Sequence, residues 1–300
     1  MHKSKQITLL AVAMTLAFSA HGQGFYSKSR YRNFLIGAGT GTTHYYGDLA
    51  KPGDHSNIKP NFHLSARYNF YRNLSASTEL TWFMLSGTDS KDPIKAPRNL
   101  SFRSHNFEWN MLLRLSLLEI NRYYLRSFAN PYIYAGLGLV NFNPSAQLDG
   151  DWHRLRPLRT EARDYGSVAL SFPMGVGVNF KLNAFFDIGL EGGYRFTTSD
   201  YLDDVSSGIY PDPASFTSDI ARRLSDRSGE LGANPTFAEE GRMVRGDPSQ
   251  KDGFFIFNVK AEWYIAQIGK GRTYGSLFSP RRIKPYKIQK RGTPRQFRRR

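Results

Sequence analysis

Residues 168–181 read VALSFPMGVGVNFK. Val168, Leu170, Phe172, Met174, Val176, Val178 and Phe180 occupy alternate positions, with Ala169, Ser171, Gly175, Gly177, Asn179 and Lys181 between them. Strict alternation places the two sets on opposite faces of a β-strand. Seven apolar side chains in a row on one face exceed what a strand of five or six residues in a soluble sandwich presents. A membrane barrel needs about nine to eleven residues per strand, with apolar side chains outward and polar ones inward.

The same period recurs outward from this stretch. Asn61–Phe70 sets Phe62, Leu64, Ala66, Tyr68 and Phe70 against Asn61, His63, Ser65, Arg67 and Asn69. Phe186–Thr197 and Phe255–Ile265 alternate in the same way, and weaker versions occur at 33–43, 74–86, 101–117 and 131–142. Eight strands result. In lipid every backbone polar group must be paired within the protein, which leaves helices and closed barrels. The expected fold is all-β: an eight-stranded antiparallel transmembrane barrel with long extracellular loops and a basic C-terminal tail. A soluble sandwich or lipocalin-like barrel is the competing reading.

Connection lengths agree with a barrel. Long connections are expected at His44–Lys59, Gly87–Asn99, Asn143–Gly166 and Thr198–Gly253. Short ones are expected at Tyr71–Asn73 and Leu182–Asn183, with an intermediate one at Glu119–Asn130. Long extracellular loops alternating with short periplasmic turns are the pattern of outer-membrane barrels, and an even strand number puts both termini in the periplasm.

Charge and composition exclude other classes. There is no cysteine among the 300 residues, so disulfides, thiolate metal sites and catalytic thiols are out. Export is expected from Lys3 and Lys5, the apolar run 7–19 and the small residues Ala20 and Gly22, giving a signal peptide at 1–22. Of the 41 Lys and Arg, two lie before residue 23 and twelve after 266, leaving 27 against 25 Asp and Glu. The barrel, 23–266, is therefore close to neutral at about +2, and twelve of the sixteen net positive charges reside in the tail, 267–300. Arg281, Arg282, Lys284, Lys287, Lys290, Arg291, Arg295, Arg298, Arg299 and Arg300 are its densest part. Export argues against cellular nucleic acid as a partner, and none is expected. The tail is expected to dock on an acidic periplasmic protein surface, or otherwise on anionic lipid or cell wall.

Inward positions are expected to carry Arg67, Arg114, Lys181, Arg195 and Lys260 with Glu79, Glu108, Asp187, Glu191 and Glu262. Eight strands leave an interior just wide enough for side chains, so these charges should pair and close the lumen. His63 and His105, with Ser65, Ser101 and Ser104 nearby, match no nucleophile–base signature, and no enzyme, cofactor, metal or small-molecule substrate is predicted. Asp200, Asp203, Asp204 and Asp212 could offer oxygen ligands to a hard cation, but their spacing favours a solvated, hydrogen-bonding loop.

A series of segments resembles the PorG-like barrels of the Bacteroidetes type IX secretion system. It runs Tyr45-Tyr46-Gly47-Asp48-Leu49, Arg98–Ser104, Pro131–Gly138 with Phe142-Asn143-Pro144, Pro157–Glu161, Asp200–Ser206 with Tyr210–Pro213, Leu224–Ser228 and Arg245-Gly246. The likeness spans about residues 33–266. Asp200–Ser206 with Tyr210–Pro213 is its strongest part, and Asp200, Tyr201, Asp203 and Asp204 within it form an expected extracellular loop motif. The resemblance implies a role in protein export, and in gliding motility in some relatives, through association with a periplasmic ring of PorK- and PorN-like proteins. The alternative is a generic structural or adhesive barrel, with a lipid-modifying enzyme behind it.

Overall fold

A computed structural model describes residues 34–265, apart from 52, 54–56, 121–126, 184, 233–235 and 241–243. The signal segment and the basic tail lie outside the described residues. Ten strands form: β1 (Phe34–Tyr46), β2 (Lys59–Asn69), β3 (Leu74–Thr88), β4 (Ser101–Ser116), β5 (Ala129–Asn141), β6 (Pro144–Leu148), β7 (Asp151–Arg154), β8 (Val168–Lys181), β9 (Phe186–Thr197) and β10 (Gly253–Ile265). Eight of them close a barrel in the order β1-β2-β3-β4-β5-β8-β9-β10, every pairing antiparallel, with β10 returning to β1. Closure leaves no barrel strand with an unpaired edge. No described helix is long and apolar enough to cross a membrane.

Two features revise the sequence expectation. His44, Tyr45 and Tyr46 belong to β1, not to the first connection, because the β1–β10 ladder continues to Tyr46↔Gly253. The fifth connection is not plain loop. It folds into the hairpin β6–β7, which pairs with the end of β4 through Arg103↔Ser145 and Ser104↔Pro144. The hairpin turns at Asp149 (φ 52°) and Gly150 (φ 96°). Positive φ at both central residues is the turn geometry that matches strand twist, and Asp-Gly is a preferred pair for it.

The wall is two-faced as expected. On β4 the even positions are buried, and the odd ones present Phe107, Trp109, Met111, Leu113 and Leu115 outward. Aromatic side chains mark both ends of the outer apolar band. Phe186 and Trp263 stack at the end that carries the short turns. Phe62 stacks on Trp82, and Tyr46 packs on Tyr194, at the end that carries the four long connections. Phe255 and Trp263 are eight residues apart on β10, about 20 Å along the axis at a 40° tilt. Such a band with two girdles is the membrane-facing surface of an outer-membrane barrel.

Pro173 interrupts the β5–β8 ladder. The pairs Ala135↔Met174 and Gly138↔Ser171 flank the gap in unbroken register. A residue without an N–H cannot donate to a ladder. Gly177 and Gly193 answer a different need, because a Cβ at either would collide with the inward rings of Tyr132 or Tyr134.

Candidate functional site in the lumen and loop cap

The inward charges form one network in the lower lumen. Arg67 donates to Glu262 at 2.6 Å. Arg114 lies 3.5 Å from both Glu191 and Glu262 and 3.9 Å from Glu79, with its guanidinium 4.0 Å from the centre of the Tyr132 ring. Lys260 pairs with Glu191, which also accepts from the Tyr132 hydroxyl (2.9 Å) and Asn258 (3.2 Å). Arg195 stands 3.7 Å from Glu108, and Ser171 donates to Glu108 at 2.8 Å. Asp187 accepts from Tyr264 at 2.9 Å. All nine of these ionic side chains are buried, while Lys181 is half-buried at the turn end. Buried charges are tolerated when paired. His63 is also buried in the lumen, whereas His105 points outward against Trp82.

Above this network the barrel mouth is apolar. Phe83, Leu85, Phe102, Val140, Phe254 and Ile256 line it, and the long connections insert Leu49, Leu100, Leu148, Leu155, Leu202, Val205 and Leu224 from above. The loops thus share one hydrophobic core with the barrel and form a cap. Burial of these side chains removes several hundred Å² of apolar surface from water, worth about 25 cal/mol per Å².

The loop acids are at the centre of that cap. Asp200, Asp203 and Asp204 are buried, with exposures of 3%, 1% and 1%, so the solvated-loop expectation fails for them. Of the four, Asp212 alone is exposed, where its side chain caps a short turn by accepting from the Ala214 N–H. Asp203 accepts from the N–H of Val205 at 2.9 Å and from the Tyr45 hydroxyl at 2.7 Å. The same hydroxyl lies 2.7 Å from Asp252, which accepts from the Leu202 N–H at 2.9 Å. Asp204 has a left-handed backbone (φ 71°) and accepts from the hydroxyls of Thr160 and Tyr165. Asp tolerates that conformation better than most residues.

Two arginines tie the loops together. Arg98 grips Asp89 through two hydrogen bonds of 2.7 and 2.6 Å and reaches the carbonyls of Asp48 and Arg245. Arg245 pairs with Glu161 and donates to the carbonyls of Ser225 (3.1 Å) and Asp204 (3.0 Å). Glu161 in turn accepts from the backbone N–H groups of Ser206 and Ser207. The segments 45–49, 98–104, 157–161, 200–206, 224–228 and 245–246, spread over two hundred positions, therefore meet in one buried cluster. Tyr201 packs face to face with Tyr165 at 4.5 Å on its flank.

Burial sets the acid–base character of this cluster. It raises the carboxyls of Asp204 and Asp200 to about 6, and pushes Asp203 and Asp252 well above the usual range. Each member of the last pair is raised further by a neighbouring carboxylate, Asp48 for Asp203 and Asp203 for Asp252. Among the described residues no group of three or more His, Asp or Glu is arranged to hold a metal ion. A cleft of about 340 Å³ opens on the cap between Pro211, Phe216, Arg223, Asp226 and Glu230.

Sequence reasoning placed the lumen charges but missed Asp89, Glu161 and Asp252 as anchors. It also left Tyr45 in a loop. Their partners are far away along the chain, so no local spacing marks them. The basic tail residues Arg281–Arg300 fall outside the described residues.

A family model described as an outer membrane protein beta-barrel domain matches residues 8–215, more than half of the chain. No curated protein matches it. Among solved structures, Neisserial surface protein A is 10% identical, with 77% of this chain and 97% of that one covered at a TM-score of 0.40. OprG from Pseudomonas aeruginosa is also 10% identical, with 78% and 96% covered at 0.36. The outer membrane enzyme PagL is 11% identical, with 77% and 99% covered at 0.32.

Proposed function

The chain belongs to the outer membrane protein beta-barrel domain family, and from that premise we propose that it is a non-enzymatic outer-membrane component of a type IX protein secretion system. Its role is to anchor or position a periplasmic ring of PorK- and PorN-like proteins. One observation supports this reading above others: six of the segments that resemble the PorG-like barrels, 45–49, 98–104, 157–161, 200–206, 224–228 and 245–246, converge on a single buried cluster in the loop cap. A resemblance scattered over loops would be weak if the loops were independent. Here Arg98 reaches the Arg245 carbonyl, Arg245 pairs with Glu161 and reaches the Asp204 carbonyl, and Asp203 accepts from Tyr45.

In this reading the long connections face the exterior and both termini are periplasmic. The basic tail, 267–300, then hangs beneath the membrane and docks on an acidic ring surface. Docking between exposed charges is screened by salt over about 10 Å at 0.1 M, so it weakens as salt rises. Deleting 267–300 tests it: ring proteins that co-purify with the full chain at low salt should be lost. Unchanged retention removes the docking role and leaves the barrel intact.

The second reading is a structural or adhesive barrel whose working surface is the cap. The rigid, cross-linked loops and the cleft beside Phe216 favour it. A barrel that purifies without any ring subunit would support this alternative.

A further inference from the structure

One stretch of the outer wall has a composition unlike the rest of the apolar band. Phe62 on β2 stacks on Trp82 of β3 at 5.7 Å, and Trp82 stacks on His105 of β4 at 5.8 Å. His105 lies 3.2 Å from Arg103, whose guanidinium is held 5.2 Å from the centre of the Trp152 ring on β7. The row crosses three barrel strands and continues onto the hairpin. Below it on β4, the outward positions are Phe107, Trp109, Met111, Leu113 and Leu115.

Register extends the basic end of this row. Arg103 opposes Ser145 on β6, and Ser145 opposes Arg154 on β7. Directly paired residues share a face, so Arg103 and Arg154 both look outward, two strands or about 10 Å apart. Trp152, two positions from Arg154, shares that face and is half exposed, and Arg154 is exposed. The opposite face of the hairpin, Ala146 and Leu148, is buried in the cap core. Among the described residues neither arginine is paired with a carboxylate.

Depth decides the occupant. Aromatic girdles sit at the membrane–water interface. Arg103 lies two residues beyond His105, and four beyond the level of Trp82, toward the loops, just past the girdle. Lipid phosphates occupy that depth. Arginine presents a planar fork that suits a phosphate, and stacking on an aromatic ring orients such a guanidinium.

The geometry points to Arg103, Trp152 and Arg154 as a binding site for the phosphate-bearing head group of a membrane lipid, seated on the outer wall beside the β6–β7 hairpin. This rests on the barrel's place in the membrane and not on a role in secretion. The hairpin then acts as a small shelf that extends the wall past the apolar band, with its basic side toward the head groups.

The test uses the full-length chain in phosphatidylcholine vesicles doped with phosphatidic acid. After gentle detergent extraction, native mass spectrometry counts the lipids that stay bound. The wild type should retain phosphatidic acid in clear excess of its share in the vesicles. The pair Arg103→Glu and Arg154→Glu should reduce that retention about tenfold, equivalent to about 1.4 kcal/mol. Arg222→Glu, the same change of charge at an exposed arginine of the cap helix Asp219–Ser225, should leave it unaltered. Arg103→Gln with Arg154→Gln provides a milder pair, and heat-modifiable gel mobility reports whether each variant folds. Retention matching the vesicle composition, retention unchanged in both pairs, or an equal loss with Arg222→Glu would overturn the site. Displacement of the bound lipid by inorganic phosphate at low concentration would also overturn it, because a bilayer-seated head group is held by its depth as well as its charge.

Discussion

Tyr45 shows how one side chain ties the cap to the barrel. Its hydroxyl lies 2.7 Å from a carboxylate oxygen on both Asp203 and Asp252. A hydroxyl has one proton to donate, so the second contact requires a proton on the other carboxyl. The geometry thus asks the buried pair to share a proton, in the same direction as the upward shift that burial and the neighbouring carboxylates give both groups. The charged groups around the pair are Asp48, Asp200 and Arg98, with Lys251 beside Asp200. A folded-state pKa above the unfolded value of about 3.9 stabilises the fold fully below that value and is lost as pH rises through the folded one. Asp200 and Asp204, at about 6, place the first part of this loss between about pH 4 and 6. The cap should therefore be tighter at pH 5 than at pH 8. Amide exchange at Leu49 and Leu202, corrected for the intrinsic pH dependence, measures this. Tyr45→Phe should speed that exchange by an amount equivalent to about 1–3 kcal/mol, since it strips a partner from two buried carboxyls. Asp203→Asn should flatten the pH dependence.

At this scale the sequence was half legible. Period-two alternation placed Arg67, Glu79, Arg114 and Lys260 inward, because side-chain direction in a strand follows from position alone. The cap acids read as solvated because polarity is normally a sign of exposure. What buries them is a set of partners such as Tyr45, 158 positions from Asp203, which no local window contains.

Among the elements, the hairpin β6–β7 was the one overlooked. Its signal was present: Asp149-Gly150 between Gln147-Leu148 and Asp151-Trp152 is a two-residue turn sequence. Four residue pairs gave too little alternation to stand out beside strands of eleven to sixteen residues. The turn also predicts its own sensitivity. Gly150 has φ 96°, where a β-branched residue is strained, so Gly150→Val should cost about 1–3 kcal/mol locally. Limited proteolysis between 144 and 158 should become faster, while the heat stability of the barrel stays unchanged. Arg223, which clamps the turn through two bonds of 2.6 and 2.8 Å to Asp149, should lose its order in the same variant. At the other cross-link, Arg245→Ala would leave Glu161 buried and unpaired, at a cost of about 3–5 kcal/mol to the cap. The barrel strands should keep their exchange protection, because their ladders do not depend on it.

For the whole molecule, two layers of different chemistry occupy the barrel interior. The lower lumen is ionic and mutually paired around Arg114, and the upper lumen is apolar and continuous with the cap. Among the described residues both layers are filled by buried side chains, so planar bilayers containing the purified chain should show no large steady conductance. Stable channels of porin size would contradict that closure. The fold followed from strand period, strand length and the alternation of long and short connections, all visible in sequence. The cap did not, because it is built from contacts between loops. We propose that this barrel serves a secretion machine beneath the membrane. The most direct measurement is affinity purification of the full-length chain from gently solubilised outer membrane, with subunit stoichiometry read by mass spectrometry. A stoichiometric periplasmic ring that is lost on deleting 267–300 or on raising salt is the expected result. A barrel that purifies alone at low salt, with its tail intact, would contradict the claim.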